Sequence, residues 1–186
     1  MDSLHRTRSN RPLQRGHTLI ETTATGTILA LLLCSAIPSF SGLIERHRLT
    51  GLATQVATDL QFIRSTSIWR NEPLRLSFYN VSAGSCYVVH SGTRPQCTCS
   101  VASGTAACTG GAVPLKTVAL PASTGLTVQA NVTSMLFDPL HGTSTPTGTL
   151  RVTSTAGSIH HIVNVLGRVR TCTPDLAPAL PGFRTC

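Results

Sequence analysis

Residues 15–21 read Arg-Gly-His-Thr-Leu-Ile-Glu and open a mostly uncharged run that continues to Ile44 and is densest at residues 28–33. The run is long enough to span a bilayer as a helix. Because basic flanks stay in the cytoplasm, residues 45–186 would lie outside the inner membrane. A carboxylate inside such a run costs roughly 2.5–3.5 kcal/mol on insertion scales, so we expect Glu21 to have a function.

Three ordinary interpretations of this segment compete. A secretory signal peptide could be cut after Ser41, because Ser39 and Ser41 are small residues at suitable offsets. A lipoprotein signal is disfavoured, since Leu33 before Cys34 is not a small residue. A plain signal anchor is the third interpretation. None of the three explains Glu21.

The residues from Arg15 to Glu21 resemble the class III signal of type IV pilins and type II secretion pseudopilins. In that family a prepilin peptidase cuts after the glycine, the new N-terminal residue is methylated, and the apolar helix stays intact. The resemblance implies cleavage between Gly16 and His17, N-methylation of His17, and an assembly role for Glu21. That carboxylate would pair with the amino terminus of a neighbouring subunit, which offsets its burial. The family usually has phenylalanine where this chain has His17.

Beyond this run, residues 45–69 have an amphipathic helical pattern with apolar or small residues at three- and four-residue steps: Leu49, Leu52, Val56, Leu60, Ile63 and Ser67. Pro73 marks the end, since the residue before a proline resists helical geometry. Short segments separated by Gly- and Pro-rich joints predict strands at 74–79, 86–90, 116–120, 126–130, 134–137, 150–154 and 159–169. We therefore predict an α+β fold, in which one long N-terminal helix packs on an antiparallel β-sheet domain stapled by disulfides.

A second resemblance covers about residues 49–172. Residues 64–71 and the following Pro-Leu-Arg-Leu-Ser-Phe at 73–78 are similar to the helix end and first strand of the FimT/GspH-type minor pilins. Leu-Phe-Asp-Pro-Leu-His-Gly at 136–142 and Gly-Arg-Val-Arg at 167–170 resemble later blocks of that group. The usual form of the first block has its glycine sooner after Phe-Asp.

Together the two resemblances imply a four-part chain. It would comprise a cytoplasmic leader peptide (1–16), a transmembrane helix that forms the filament core (17–44), an amphipathic helix (45–72) and a periplasmic or extracellular β domain with a Cys-rich tail (73–186). The protein would cross the inner membrane once and then enter an extracellular pilus. Its partners would be prepilin peptidase, other pilin subunits and double-stranded DNA.

The net charge allows a polyanionic partner, although composition alone favours a basic surface that its charge keeps soluble. The chain carries fifteen basic and seven acidic residues, a formal charge of +8. Four arginines and one aspartate precede Gly16, so removal of residues 1–16 leaves eleven basic and six acidic residues, a charge of +5. Lys116 is the only lysine. Arginine presents a planar fork of donors that suits phosphate.

Arg168 and Arg170 are the candidate DNA ligands. Two residues apart in a strand, their side chains project from one face, where two guanidinium groups can bind successive phosphates without reading bases. Arg184, Arg151 and Lys116 are candidates to extend this patch. By resemblance the motif matches FimT proteins of type IV pili, some of which are DNA receptors for natural transformation with a C-terminal Gly-Arg-x-Arg. The alternative is a solvated strand end whose charges prevent edge aggregation.

Six of the seven cysteines follow the apolar run, which indicates disulfides in an oxidising compartment. Cys172 and Cys186 would close a C-terminal loop. Two further bridges are expected among Cys86, Cys97, Cys99 and Cys108, with three possible connectivities. The absence of any C-x₂-C disfavours a zinc site. Cys34 is interpreted as a residue of the membrane helix.

The sequence offers no case for catalysis, a metal or a cofactor. His160 and His161 are adjacent in a predicted strand and point to opposite faces, so they cannot hold one metal together. No Ser-His-Asp grouping or glycine-rich phosphate loop is present. We therefore predict a DNA-binding minor pilin of a type IV pilus and not an enzyme. The rivals are a structural minor pilin or type II secretion pseudopilin without DNA binding, and a secreted disulfide-rich enzyme or adhesin.

Overall fold

A computed structural model describes residues 18–175 and 180–186, without the side chains of residues 35–39. The predicted leader 1–16 and the predicted cleavage and methylation site at Gly16 and His17 lie outside the described residues. The chain divides between Ser41 and Gly42 into two compact units.

Helix α1 spans Leu19–Arg70, and its residues up to Ser41 belong to the first unit. Its threonines satisfy their hydroxyls locally: Thr22 and Thr23 donate to carbonyl oxygens three residues back, and Thr27 donates four residues back. Such bonds allow hydroxyl groups to lie in an apolar segment. Up to Ser41, the large apolar side chains of α1 that the structure describes are 59–83 % exposed: Leu19, Ile20, Ile28, Leu29, Leu31, Leu32, Leu33 and Phe40.

A search of residues 18–175 and 180–186 found no helix both long and apolar enough to cross a membrane. The span predicted for 17–44 includes His17 and the side chains of 35–39, which lie outside the described residues, so it stays a prediction.

In the second unit, α1 buries the face that the spacing predicts. Leu49, Leu60 and Ile63 are completely buried, and Ser67 lies on the same face. The helix ends at Arg70 because Asn71 takes a left-handed conformation (φ 51°) and the amide of Glu72 donates to the carbonyl oxygen of Ser67 at 3.1 Å. This is the usual geometry of a helix C-terminus, and Pro73 follows it.

Eleven strands of the described residues follow, and every strand pair is antiparallel. They are β1 Leu74–Val81, β2 Gly84–Ser91, β3 Cys97–Cys99, β4 Ala106–Cys108, β5 Pro114–Pro121, β6 Thr127–Ala130, β7 Ser134–Phe137, β8 Ser144–Thr145, β9 Gly148–Ser154, β10 Gly157–Val163 and β11 Val169–Cys172. A five-stranded sheet has the order β5-β2-β1-β7-β8, a four-stranded sheet the order β11-β10-β9-β6, and β3-β4 form a hairpin.

The α+β fold is confirmed, with three differences in detail, the first being that the short strands β3, β4 and β8 were not predicted. The β domain contains two main sheets in place of one. The strand predicted for 159–169 is two strands, β10 and β11, because a turn at 164–167 reverses the chain between them. Both sheets share one core with the buried face of α1, and its largest members include Leu74, Leu76, Tyr87, Met135, Phe137, Leu150 and Ile159.

Three disulfides staple this domain. Cys172 is joined to Cys186 as the sequence suggests, and the other four cysteines form Cys86–Cys99 and Cys97–Cys108. Cys86–Cys99 attaches the β3-β4 hairpin to β2 and Cys97–Cys108 joins its two strands, while the Tyr79 hydroxyl donates a hydrogen bond to the carbonyl oxygen of Cys97. Closing loops of this length contributes about 3 kcal/mol each in the chain-entropy account.

Candidate nucleic-acid interface

The turn at 164–167 sets the position of Arg168. The amide of Gly167 donates to the carbonyl oxygen of Asn164 at 2.9 Å, and the Asn164 Oδ1 atom accepts from the amide of Arg168 at 2.9 Å. Gly167 has a φ of +69°, and a Cβ atom there would lie 2.5 Å from the carbonyl oxygen of Gly142. Any side chain at 167 would therefore force the turn away from its neighbour.

Arg168 directly precedes β11 and Arg170 lies within it, and both side chains are exposed. The following residue, Thr171, points to the interior, where its hydroxyl shares a 2.9 Å hydrogen bond with Nδ1 of the buried His161. Since side chains alternate along a strand, Arg170 points away from α1. Arg168 and Arg170 line one surface hollow of about 440 Å³ together with Asn164 and Ile162.

The C-terminal tail lies beside these arginines. The Cys172–Cys186 disulfide and a parallel bridge between Thr173 and Thr185 hold the tail against β11. Its carbonyl at Arg184 accepts from the amide of Thr173 at 2.8 Å. The guanidinium of Arg170 donates to the carbonyl oxygen of Cys186 at 3.4 Å. The exposed Arg184 is thus brought next to the strand that carries Arg170.

Arg151 lies on the same face of the four-stranded sheet as Arg170. In the register, Arg151 is opposite His160 and His160 is opposite Cys172, while Arg170 is opposite Ile162. Directly opposed residues point to the same side of a sheet, so Arg151, His160 and Arg170 share the outward face. Burial and the nearby charge of Arg151 lower the pKa of His160.

Lys116 is not brought to this surface. It lies in β5 of the five-stranded sheet, and its ammonium forms an ion pair with Asp59 of α1 at 2.5 Å. Asp59 is only 2 % exposed and also accepts a 2.7 Å hydrogen bond from Tyr87. Burial, together with this bond to the carboxylate, raises the pKa of Tyr87. The charge of Lys116 thus serves to fix the helix on the sheet, which the sequence could not indicate.

One buried polar pair was also missed by the sequence patterns. The Ser77 hydroxyl is 2.9 Å from His90 Nε2, while His90 Nδ1 is 2.7 Å from the carbonyl oxygen of Ser91. Because that carbonyl can only accept, Nδ1 carries the proton and Nε2 accepts from the hydroxyl. Ser77 and His90 are completely buried, so the pair joins β1 to β2 and meets no solvent.

His161 makes the stability of this region dependent on pH. It is 1 % exposed, and burial lowers its pKa to about 4 from the ordinary 6.5. Between these values the unfolded chain binds a proton that the folded chain does not, so stability falls as the pH drops from 6.5 to 4, by about 3 kcal/mol.

Urea unfolding of wild type and His161→Leu at several pH values should show a shallower loss of stability with falling pH in the variant. The exposed His47→Leu is the control, and equal slopes in all three proteins would contradict this role.

The helix, the two sheets and the disulfides define a type IV pilin-like protein. Residues 52–167 match the family model described as Type II transport protein GspH. The chain belongs to this family of minor pilins and pseudopilins, and the resemblance inferred from the sequence is confirmed.

A crystal structure of the Pseudomonas aeruginosa (strain PAO1) type IV minor pilin FimU is similar to this chain. The TM-score is 0.50 at 19 % sequence identity, over 72 % of this chain and 95 % of the other. At that identity the likeness shows the fold. A search of curated proteins finds no match.

Proposed function

We propose that this protein is a minor pilin of a type IV pilus and that its arginine surface binds double-stranded DNA for uptake in natural transformation. The arginine surface comprises Arg168, Arg170, Arg184 and Arg151. The observation that carries the proposal is that Arg168 and Arg170 are exposed around one hollow, on a strand that a turn and a disulfide hold in place.

The filament part of the proposal rests on the family and on α1. The large apolar side chains that the structure describes between Leu19 and Ile44 are 47–83 % exposed in the single chain, which is costly in water. In the proposed life cycle, inner-membrane lipid covers them first. After prepilin peptidase removes residues 1–16 and His17 is methylated, helices of neighbouring subunits replace the lipid, with Glu21 paired to a neighbour's amino terminus.

The DNA part rests on charge and spacing. Residues two apart in an extended chain are about 6.6 Å apart, so Arg168 and Arg170 present two donor forks side by side. Of the residues that the structure describes, no acidic one lines their hollow. Contacts of this kind hold phosphates and read no bases, so binding is indifferent to sequence. Few phosphates are touched by one subunit, and several subunits along one fibre would raise the affinity by avidity.

A filament subunit without DNA binding is the second candidate. It is favoured by one observation, since the family match ends at residue 167 and leaves out both Arg168 and Arg170. In that case the protein would serve filament assembly in a type IV pilus or a type II secretion system.

Cells that carry Arg168→Ala together with Arg170→Ala distinguish the two candidates. We expect transformation to be lost while pili assemble in normal numbers, because both side chains lie outside the core. The measurement is transformation frequency alongside a count of pili by electron microscopy, with Arg46→Ala plus Arg48→Ala as the charge-matched control. Normal transformation in normally piliated cells would reject the receptor role.

A further inference from the structure

A second, larger groove lies on the other side of Arg168. It has a volume of about 590 Å³ and separates the last turns of α1 from the turn that precedes β11. The helix contributes Gln61, Arg64 and Ser65, and the turn contributes Gly167 and Arg168. Arg168 therefore forms the wall between this groove and the hollow that it shares with Arg170.

Arg64 is held in place within this groove. Its Nε atom donates to the carbonyl oxygen of Gly142 at 2.9 Å. Cβ atoms built at Gly142 and Gly167 would lie 3.0 Å from Arg64 Nε and 3.1 Å from Arg64 Cδ, so the two glycines leave room for this side chain. Both glycines also have positive φ angles, +61° and +69°. A side chain fixed in this way loses less entropy when it binds a ligand.

The guanidinium of Arg64 keeps donors for an anion. Nε is one of five N–H donors, and the four on the terminal nitrogens remain. Within residues 18–175 and 180–186, no carboxylate forms an ion pair with Arg64. Asp138 of the adjoining loop instead accepts from the amides of Leu140 and His141, at 3.0 and 2.9 Å.

We propose that Arg64 is a further phosphate ligand, so that the bound DNA strand runs from Arg170 across Arg168 into this groove. This inference rests on the proposed function and extends it to a residue of α1. A phosphodiester matches the groove because Arg64 and Arg168 both line it, while the amide of Gln61 adds a neutral donor. Ile68 and Leu166, which are 48 % and 63 % exposed, offer apolar contact to the deoxyribose.

The test uses the full-length protein in a neutral detergent and a fluorescent duplex of mixed sequence, titrated over a series of salt concentrations. Arg64→Gln should reduce the slope of log K against log salt by about one and weaken low-salt affinity by about tenfold. Arg64→Lys should keep the slope, since it keeps the charge. Arg46→Gln is the control, because it removes the same charge about 27 Å away along the same helix, at 1.5 Å per residue.

A chemical measurement on the wild type removes any dependence on the stability of the variants. Bound duplex should protect Arg64 from modification by phenylglyoxal, read by peptide mass spectrometry, while Arg46 stays reactive. Suppose that Arg168→Ala with Arg170→Ala loses binding. An Arg64 that remains reactive at saturating DNA, or a salt slope of Arg64→Gln equal to that of Arg46→Gln, would then overturn the inference about Arg64 and leave the proposed function standing. If the wild type binds no DNA, or that double variant binds like the wild type, the proposed function itself fails.

Discussion

Alanine at both Arg168 and Arg170 should abolish DNA binding by the unit Gly42–Cys186. That unit contains all described residues of the hydrophobic core, from Leu49 to Phe183, so it is expected to fold as a soluble fragment. Each phosphate-binding arginine contributes about one to the salt slope, and one subunit offers few such contacts. Without Arg168 and Arg170, the contacts that Arg184 and Arg151 can make are too few to hold a duplex. The measurement is a mobility shift or a fluorescence titration.

The fold should survive this change, because both side chains are exposed and neither contributes to the core. Circular dichroism checks that point. Arg46→Ala with Arg48→Ala is the matched control, since it removes two exposed arginines at the same sequence spacing from α1. Lysine at 168 and 170 should keep only part of the affinity, because the bidentate fork is lost. If the double alanine variant binds DNA like the wild type, Arg168 and Arg170 are not the DNA ligands.

Valine at Gly16 should leave the precursor uncut. By resemblance, the prepilin peptidase cuts after this glycine, and a β-branched side chain there would block the cleavage. The expected result is a protein that keeps residues 1–16 and does not enter filaments. Immunoblotting and N-terminal sequencing of the wild type and the variant provide the measurement.

Gly26→Val is the control for that experiment. It makes the same substitution within α1 at a position where a Cβ atom meets nothing within 4 Å, so it should be processed normally. A Gly16→Val protein that matures like the wild type would reject the class III signal. A wild-type mature chain that begins at Gly42 would support an ordinary secretory signal peptide.

The fold could be predicted from local patterns because each of its main elements is encoded locally. The buried face of α1 follows three- and four-residue steps from Leu49 to Ser67, and Pro73 marks its end. The sequence pattern indicates less clearly that the predicted strand 159–169 divides into β10 and β11. The turn that divides this segment depends on Asn164, whose carbonyl oxygen accepts from the amide of Gly167 and whose side chain accepts from the amide of Arg168. The residues around it have a strand-like pattern.

The site was only partly predictable because its members meet through the sheets. The position of Arg151 on the same sheet face as Arg170 depends on the pairing of β10 with both β9 and β11. Lys116 carries the same charge but lies opposite Asp59, which is 57 residues away in sequence. A basic residue in the sequence therefore indicates charge, and only the fold tells whether an acid neutralises it.

The same limit applies to Arg64 and to the disulfides. In the sequence, Arg64 stands out only as the first residue of the block 64–71 that resembles the minor pilins. Its contact with Gly142 and its groove with Arg168 join segments about 80 and 100 residues apart, and no local pattern encodes that. Likewise, four cysteines within residues 86–108 allow three pairings, and the hairpin register of β3 with β4 places Cys97 opposite Cys108.

DNA binding by the wild-type unit Gly42–Cys186 is the most direct test of the central claim. Two duplexes of unrelated sequence are titrated at several salt concentrations. The account predicts equal affinity for both duplexes and a log K that falls linearly with log salt, with a slope of about −2 to −4 for two to four arginine–phosphate contacts. No binding at low salt, an affinity that salt does not change, or a strong preference for one duplex would contradict it.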